Sequence, residues 1–559
     1  MMKELTGKGV SNGIAIGKLW FFKNSLLDIP DYEVDDVEQE LNRYHNGMEV
    51  AKKQLGEIYD NACRRVTKDE SVIFKTHIMI LEDSKFVQNV ETLIRKRVNA
   101  EAAVFEAAMN LANIFKQLND EYFRARCSDI IDASHILMMI LQKKNEGIGD
   151  VSDDEPVIVA ATDLFPSDTI SFSEDKLLGF VTNDGSQNSH TSILARTMGI
   201  PSVIQIHEPL AGYSGKTAII DGQLGRVIID PDINTLALYQ AKRERYMNHQ
   251  QRLKNQIGLP SVTKNKQYIR LSAEIGRLED IAKAKANDAE GIGLYRSEML
   301  FMKRDKCPDE EEQYEIYSTF LRAFGDKGVS VCTLNGGSGK GMDYIDLPHE
   351  KNPSLGFKGI RISLGNPDIL RTQFRALYRA SVNGKLSILL PMISSMEEID
   401  YVKREAESIK RELKLKNIPF DENVKLGVLV ETPASAIMSD EICKQVDFVT
   451  INTDNLTQYT LAMDRDNQKL ADFYRPYHPA VRRLIKLTID NAHKNNKKVA
   501  ISGQLAGDPA ATVHLLTYRA DELIMIPSNL LKIKAIVRET DQTDMNNILK
   551  LYENNRYLW

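Results

Sequence analysis

One histidine, His190, stands in the stretch Gly185–Arg196 (GSQNSHTSILAR), among small polar residues where a loop should turn into a helix. Asn188 and Ser189 have side chains that cap helices, and Ile193 and Leu194 begin an apolar face. A group placed there meets backbone N–H groups that the helix leaves unpaired, at the positive end of its dipole, a setting that suits a phosphate dianion. The imidazole can itself be the nucleophile and carry the phosphoryl group as phosphohistidine. A histidine near a helix start can equally be a capping-region residue with no chemistry.

A second set of polar residues recurs at one level of the C-terminal half. Beyond Pro260, apolar runs alternate with amphipathic helices, the strands expected at Tyr268–Ser272, Gly291–Leu294, Val329–Leu334, Ser387–Met392, Lys425–Val430, Asp447–Ile451, Lys498–Ser502 and Glu522–Met525. Eight such strands predict a (β/α)8 (TIM) barrel, with a doubly wound sheet as the competitor. Barrel chemistry sits just past the strand C-termini. Those positions hold Arg296, Cys332, Glu431, Asp454 with Asn455, and Ser502 with Gln504.

The elements that must position His190 lie upstream. GVSNGIAIGKLWFF (Gly9–Phe22) is punctuated by glycine and rich in β-branched and aromatic residues, which predicts short strands. From Tyr32 to about Gln142 the texture is long helical periodicity, a helical bundle inserted into an α/β domain. Strand texture returns at Pro156–Ala161, followed by the turn Asp163–Ser167 and then LLGFVTND, PSVIQI and TAIIDGQLGRVIID. Residues 231–258 are charged and helical with little apolar content, as a linker helix should be. The expected division is therefore 1–22 with 145–230, an α/β domain; 23–144, the helical bundle; 231–258, the linker; and 259–559, the barrel.

Composition narrows the function classes. A chain of 559 residues can bury several cores, and 42% apolar with 27% charged residues is ordinary for soluble protein. The net charge of −6 and the lack of a basic run argue against nucleic acid as partner. No apolar run reaches membrane-spanning length, and MMKELTGKG lacks a signal-peptide core. The five cysteines are scattered and odd in number, with neither disulfide nor CxxC metal spacing. These features predict a cytoplasmic protein.

SHTSILAR resembles the phosphohistidine motif of Enzyme I, the phosphoenolpyruvate–protein phosphotransferase family of the bacterial sugar phosphotransferase system. Related motifs occur in pyruvate phosphate dikinase and phosphoenolpyruvate synthase, but 559 residues leave no segment for their further ATP-binding domain. GIGLYRSEMLFM, NPSLGFKGIRI, VETPAS, DNLTQYTLAMDRDN and SGQLAGD are similar to the Enzyme I barrel, and FKTHIMILED to the segment that docks the phosphocarrier protein HPr. The resemblance implies a swivelling phosphohistidine domain, an HPr-binding bundle, and a barrel that binds phosphoenolpyruvate and Mg²⁺ and forms a homodimer. It implies substrate contacts from Arg296, Lys340, Asp454, Asn455 and Arg465, metal contacts from Glu431 and Asn455, and the proton-donor position at Ser502. Asp69, Glu70, Glu82 and Asp83 are either part of an acidic docking face or a solvated helix surface.

Several positions depart from the family pattern. The Gly-Gly-Arg-Thr lead-in is Gly185-Ser186-Gln187-Asn188, which removes a basic side chain beside His190. Cys332 stands where the family places a second phosphate-binding arginine, and Asn335 and Gly339 where it places acidic residues. Asp454-Asn455 inverts the Asn-Asp order, Ser502 replaces a cysteine and Gln504 a glutamate. In extended backbone adjacent side chains face opposite ways, so Asp454 is not expected to stand in for the lost carboxylate at Asn455. Losing a transition-state arginine costs about 10³-fold or more in phosphoryl transfer. Two readings follow: a phosphotransferase that moves phosphoryl from phosphoenolpyruvate through His190 to HPr for sugar uptake, or a relative with impaired phosphoenolpyruvate turnover that serves as a regulatory or HPr-binding protein.

Overall fold

The computed structural model describes residues 2–22, 29–65, 68–117, 121–142, 155–171, 176–186, 189–302, 304–338, 341–342, 344–470 and 473–554. The chain divides into two compact units, Met1–Gln250 and Gln251–Trp559.

The first unit contains an eight-stranded mixed sheet built from β1 Lys3–Thr6, β2 Lys8–Ser11, β3 Ile14–Phe22, β4 Val157–Ala161, β5 Leu177–Thr182, β6 Ser202–Ile204, β7 Thr217–Asp221 and β8 Arg226–Ile229. Their order is β1-β8-β7-β3-β4-β5-β6-β2. The central strands β3, β4, β5 and β6 run parallel, and β4 is buried along its whole length, which is why it reads as VIVAA with no polar residue. Between β3 and β4 the chain forms the helices Val37–Arg65, Lys68–Leu81, Ser84–Arg95, Ala100–Gln117 and Glu121–Leu141. They pack around Tyr44, Leu55, Leu81, Phe86 and Ile94, all fully or almost fully buried. The helix Ile233–Lys254 buries Tyr239 against Ile219 and Ile228, a foothold on the sheet in an otherwise polar helix.

The second unit is a closed barrel of eight parallel strands, in agreement with the expected fold. These are β9 Arg270–Ile275, β10 Ile292–Arg296, β11 Val329–Cys332, β12 Leu386–Leu390, β13 Lys425–Val430, β14 Phe448–Asn452, β15 Lys498–Ser502 and β16 Glu522–Met525. One layer of its interior is filled by Leu294, Cys332, Leu389, Leu429, Ala500 and Ile524. Two strand limits differ from expectation in a way that matters: β9 runs to Ile275 rather than Ser272, and β10 to Arg296 rather than Leu294. Among the described residues, no helix is long and apolar enough to cross a membrane.

Where the helix Glu121–Leu141 meets the turn after β4, carboxyl groups are buried together. Asp132 accepts from the Ser167 hydroxyl at 2.5 Å, and Asp168 accepts from the Phe165 backbone N–H at 3.0 Å. Burial raises the Asp168 carboxyl to about 7, and Asp163 pushes the same way. A carboxyl raised above its unfolded value of about 3.9 keeps its proton in the folded chain while the unfolded chain loses it, so stability falls as pH rises from about 4 to about 7. The variant Asp168→Asn keeps the acceptor without the charge. Thermal melts of the full chain should show a shallower loss of stability between pH 5 and 7, and a transition a few degrees higher at pH 8. An unchanged pH slope contradicts the assignment.

Candidate active site

His190 is the first residue of the helix His190–Met198. Ser189 is the N-cap, its hydroxyl accepting from the Ser192 backbone N–H at 3.3 Å and donating to the Ser186 carbonyl at 2.9 Å. Gln187 and Asn188 lie outside the described residues. The helix is held from two sides: Thr191 donates to the Leu164 carbonyl at 2.8 Å, and Leu194 packs with Ala62, Ile73 and Phe74 of the bundle. Gly199 ends it in left-handed geometry (φ 67°), a conformation that a residue with a Cβ adopts at a cost. Nearby, His77 of FKTHIMILED is fully buried. Asp83 caps the helix Ser84–Arg95 through the N–H groups of Lys85 and Phe86, and Glu82 pairs with Lys52 at 3.1 Å. These are structural tasks for two of the four acidic residues considered for docking; the side chains of Asp69 and Glu70 lie outside the described set.

In the barrel, a cavity of about 440 Å³ opens at the strand C-termini and brings together Arg296, Cys332, Asp454, Asn455, Arg465 and Gln504. Lys340 lies outside the described residues, as does Gly339. Glu431, at the end of β13, is sealed from solvent beneath this site. Its carboxylate accepts from the side-chain amide of Asn455, from that of Asn335 at 3.1 Å, and from the Met392 backbone N–H at 2.8 Å. Burial pushes the Glu431 carboxyl up, while Lys358 and these hydrogen bonds pull it down.

Asp454 and Asn455 do not project to opposite sides. Asn452 caps a helix that begins at Thr453, accepting from the N–H groups of both residues, so the backbone is helical and both side chains line the cavity. Residues one apart on a helix are separated by about 100°, not the 180° of a strand. Asp454 accepts from the Gln504 backbone N–H at 3.0 Å; burial raises its carboxyl, against that hydrogen bond and the charges of Arg465 and Arg296. Ser502 is placed differently from its expected role. It is fully buried, donates to the Ile451 carbonyl at 3.2 Å, and is not among the residues lining the cavity. Cys332 belongs to the apolar layer inside the barrel, and burial drives its thiol well above the ordinary range.

Sequence reading missed Glu274, Glu298, Lys358 and Tyr474, which also line the cavity. Arg296 donates through Nε to Glu298 at 3.0 Å and through Nη1 to Glu274 at 3.4 Å. Glu274 and Leu294 are register partners, so β9 delivers Glu274 to the level of Arg296. Ending β9 at Ser272 hid it. Among the described residues the lining holds three cations, Arg296, Lys358 and Arg465, against four carboxyl groups, Glu274, Glu298, Asp454 and Asp466. A polyanionic ligand therefore meets a site whose own charges are nearly cancelled.

Among the described residues, no group of three or more His, Cys, Asp or Glu side chains could hold a metal ion. Oxygen donors for a hard cation are nonetheless close by: the Oδ1 atoms of Asn335 and Asn455 are buried without a hydrogen-bond partner, and turning over the two amides, whose N–H groups face Glu431, would present these oxygens beside its carboxylate. One carboxylate with two amide carbonyls fits a divalent ion of the Mg²⁺ type, with less charge than two carboxylates provide.

A polar cavity at the mouth of a parallel barrel occurs here in one chain with an α/β unit that carries a histidine at a capped helix start, and the family models place this chain among the phosphoenolpyruvate (PEP)-utilising enzymes. Residues 6–126 match the PEP-utilising enzyme N-terminal region, 153–225 its mobile domain and 250–542 its PEP-binding domain. The chain is 36% identical over 98% of its length to the phosphoenolpyruvate-protein phosphotransferase of Staphylococcus carnosus, covering 96% of that protein. It is 37% identical over 96% of its length to that of Geobacillus stearothermophilus, covering 93%. The chain belongs to the phosphoenolpyruvate-protein phosphotransferase family.

Replacing Asn455 by aspartate adds the missing anion beside Glu431. Calorimetric titration with Mn²⁺ should show about tenfold or more tighter binding in Asn455→Asp than in the unsubstituted chain. Equal affinity means that another group already supplies the second charge.

Proposed function

We propose that this chain transfers the phosphoryl group of phosphoenolpyruvate to His190 and from there to the phosphocarrier protein HPr. The observation that carries the reading is the convergence of Arg296, Lys358 and Arg465 on one cavity at the strand C-termini, with a carboxylate sealed behind them. Guanidinium forks match phosphate oxygens and offset the charge that moves during transfer, and Lys358 adds a point charge beside Glu431. Glu431 with Asn335 and Asn455 would hold Mg²⁺, which when bound neutralises substrate oxygens.

His190 receives the group at a helix N-terminus whose unpaired N–H groups favour the phosphate dianion. Its helix is fixed by Thr191 and Leu194, so the ring's backbone anchor does not depend on the two residues before Ser189. Histidine and cavity belong to different units, and the reaction requires them to meet. The helical bundle is the natural docking surface for HPr, the barrel the surface for a homodimer, and the cytoplasm the compartment.

The test uses phosphoenolpyruvate and phosphorylated HPr, each carrying labelled phosphate, with the full chain and Mg²⁺. Both donors should leave acid-labile label that His190→Ala loses. The phosphoenolpyruvate half should be the slower by about 10³-fold or more, since Cys332 supplies no cation. Label from neither donor, or label that persists in His190→Ala, overturns the reading.

A further inference from the structure

Removing a phosphoryl group from an enol phosphate leaves an enolate, and the reaction is complete only when its terminal carbon takes a proton. The donor must reach the cavity, hold its proton near neutral pH and not be spent on another bond. Ser502 keeps its proton but cannot deliver it: it is buried outside the cavity lining, its hydroxyl is committed to the Ile451 carbonyl, and hydroxyls are weak acids. Cys332 touches the cavity from the barrel's apolar layer, and burial drives its thiol well above the ordinary range, so it gives up its proton poorly. Tyr474 donates to the Asp454 carbonyl at 2.9 Å, and burial pushes its phenol up to about 12. Asp454 holds the Gln504 N–H, Glu298 is almost fully buried on the Arg296 Nε, and Glu431 is walled in by two amides and a backbone N–H.

Asp466 is exposed to solvent, where nothing holds a carboxyl proton near neutral pH, so among the described lining residues Glu274 is the acid that remains. It lies at the end of β9, lines the cavity, keeps 16% of its side chain exposed, and touches Arg296 only at the long distance of 3.4 Å. We propose that Glu274 is the catalytic acid that protonates the enol carbon after phosphoryl transfer, in the role for which Ser502 offers no usable proton. The proposal rests on the reading that phosphoenolpyruvate is the donor substrate.

The step balances as follows. A ring nitrogen of His190 bonds to phosphorus while the bond from phosphorus to the enol oxygen breaks, its electron pair staying on that oxygen. The oxygen then forms a carbonyl, and the pair of the carbon–carbon double bond takes the carboxyl proton of Glu274. A 2-oxo acid leaves, and the Glu274 carboxylate regains a proton from water. The charged groups that face Glu274 favour this cycle. Burial raises its carboxyl, Arg296 opposes that, and Asp454 and Glu298 push further up. A substrate anion drawn to Arg296 adds repulsion of the same sign, so the proton is held most firmly when substrate is bound.

By microscopic reversibility the same group removes a methyl proton from the 2-oxo acid, which gives a readout separate from phosphoryl transfer. With the full chain, Mg²⁺ and pyruvate in D₂O, proton NMR follows loss of the methyl signal, and labelled phosphoenolpyruvate and phosphorylated HPr are each followed onto His190. In Glu274→Gln, methyl exchange should fall about 10²-fold or more, while the thermal melt of the full chain stays within a few degrees of the unsubstituted one, which shows that the barrel is folded, and labelling from phosphorylated HPr keeps its full stoichiometry. Glu274→Asp should restore part of the exchange with a shifted pH profile. If Glu274→Gln exchanges at the unsubstituted rate while phosphoenolpyruvate still labels His190, the proposal alone is overturned. If phosphoenolpyruvate labels not even the unsubstituted chain while HPr does, the donor reading is overturned and the proposal with it.

Discussion

A carboxylate shut away from water, Glu431, is the constraint on which the open end of the barrel is built. A buried charge of this kind costs several kcal/mol unless donors replace its lost hydration. Two loops and a helix each supply one: Asn335 after β11, Met392 after β12, and Asn455 in the first turn of the helix after β14. Met392 aims its N–H at the carboxylate from a left-handed backbone, φ 56°, which is strained for a side chain of its size. The chain at Gly359 packs against this turn so closely that a Cβ there would lie 2.8 Å from the Met392 side chain, and its own φ of 59° also calls for glycine. Lys358, the residue before it, is thereby fixed next to the buried charge.

Around this fixed anion the cavity's charges are interlocked. Arg296 is divided between Glu274 and Glu298, and the helix start after β14 adds Asp454 to the same cavity. Such cross-pairing holds the guanidinium in place before substrate arrives, and a phosphate must compete with two carboxylates for it. Substrate binding should therefore lean on a cation brought with it and on protonation of one of these acids. The first unit meets a simpler demand. A helix N-terminus needs only to be held steady for phosphate to bind there, and a hydroxyl on one side with a leucine on the other does that for His190.

Much of this was legible in the sequence because it is local. The Ser189 cap, the apolar residue Leu194, and the eight strand-and-helix repeats are all written within a few residues of where they act. Glu274 was not, because RLSAEI places serine and glutamate in a strand whose neighbours are almost wholly apolar, so its end was read two residues before the site. Asp454 and Asn455, just past the strand expected at Asp447–Ile451, are expected in extended backbone because the Asn452 cap, which starts their helix, is decided by hydrogen bonds rather than by pattern. Lys358 and Glu298 reach the cavity from a distant loop and a short helix, and no spacing along the chain announces a contact of that kind. The fate of Ser502 is likewise tertiary: one carbonyl on the neighbouring strand takes its proton.

A charge buried as deeply as that of Glu431 should make the cavity depend on a cation accompanying the substrate. Calorimetry of phosphoenolpyruvate binding, with and without Mg²⁺, tests it most directly. The titration is run in a His190→Ala background, where phosphoryl transfer cannot complete, and compared with the same chain carrying Glu431→Gln. With glutamate in place, Mg²⁺ should tighten binding by about tenfold or more. With glutamine, metal-free binding should be at least as tight as before and the response to Mg²⁺ should vanish. A response to Mg²⁺ that survives Glu431→Gln undiminished would contradict the account.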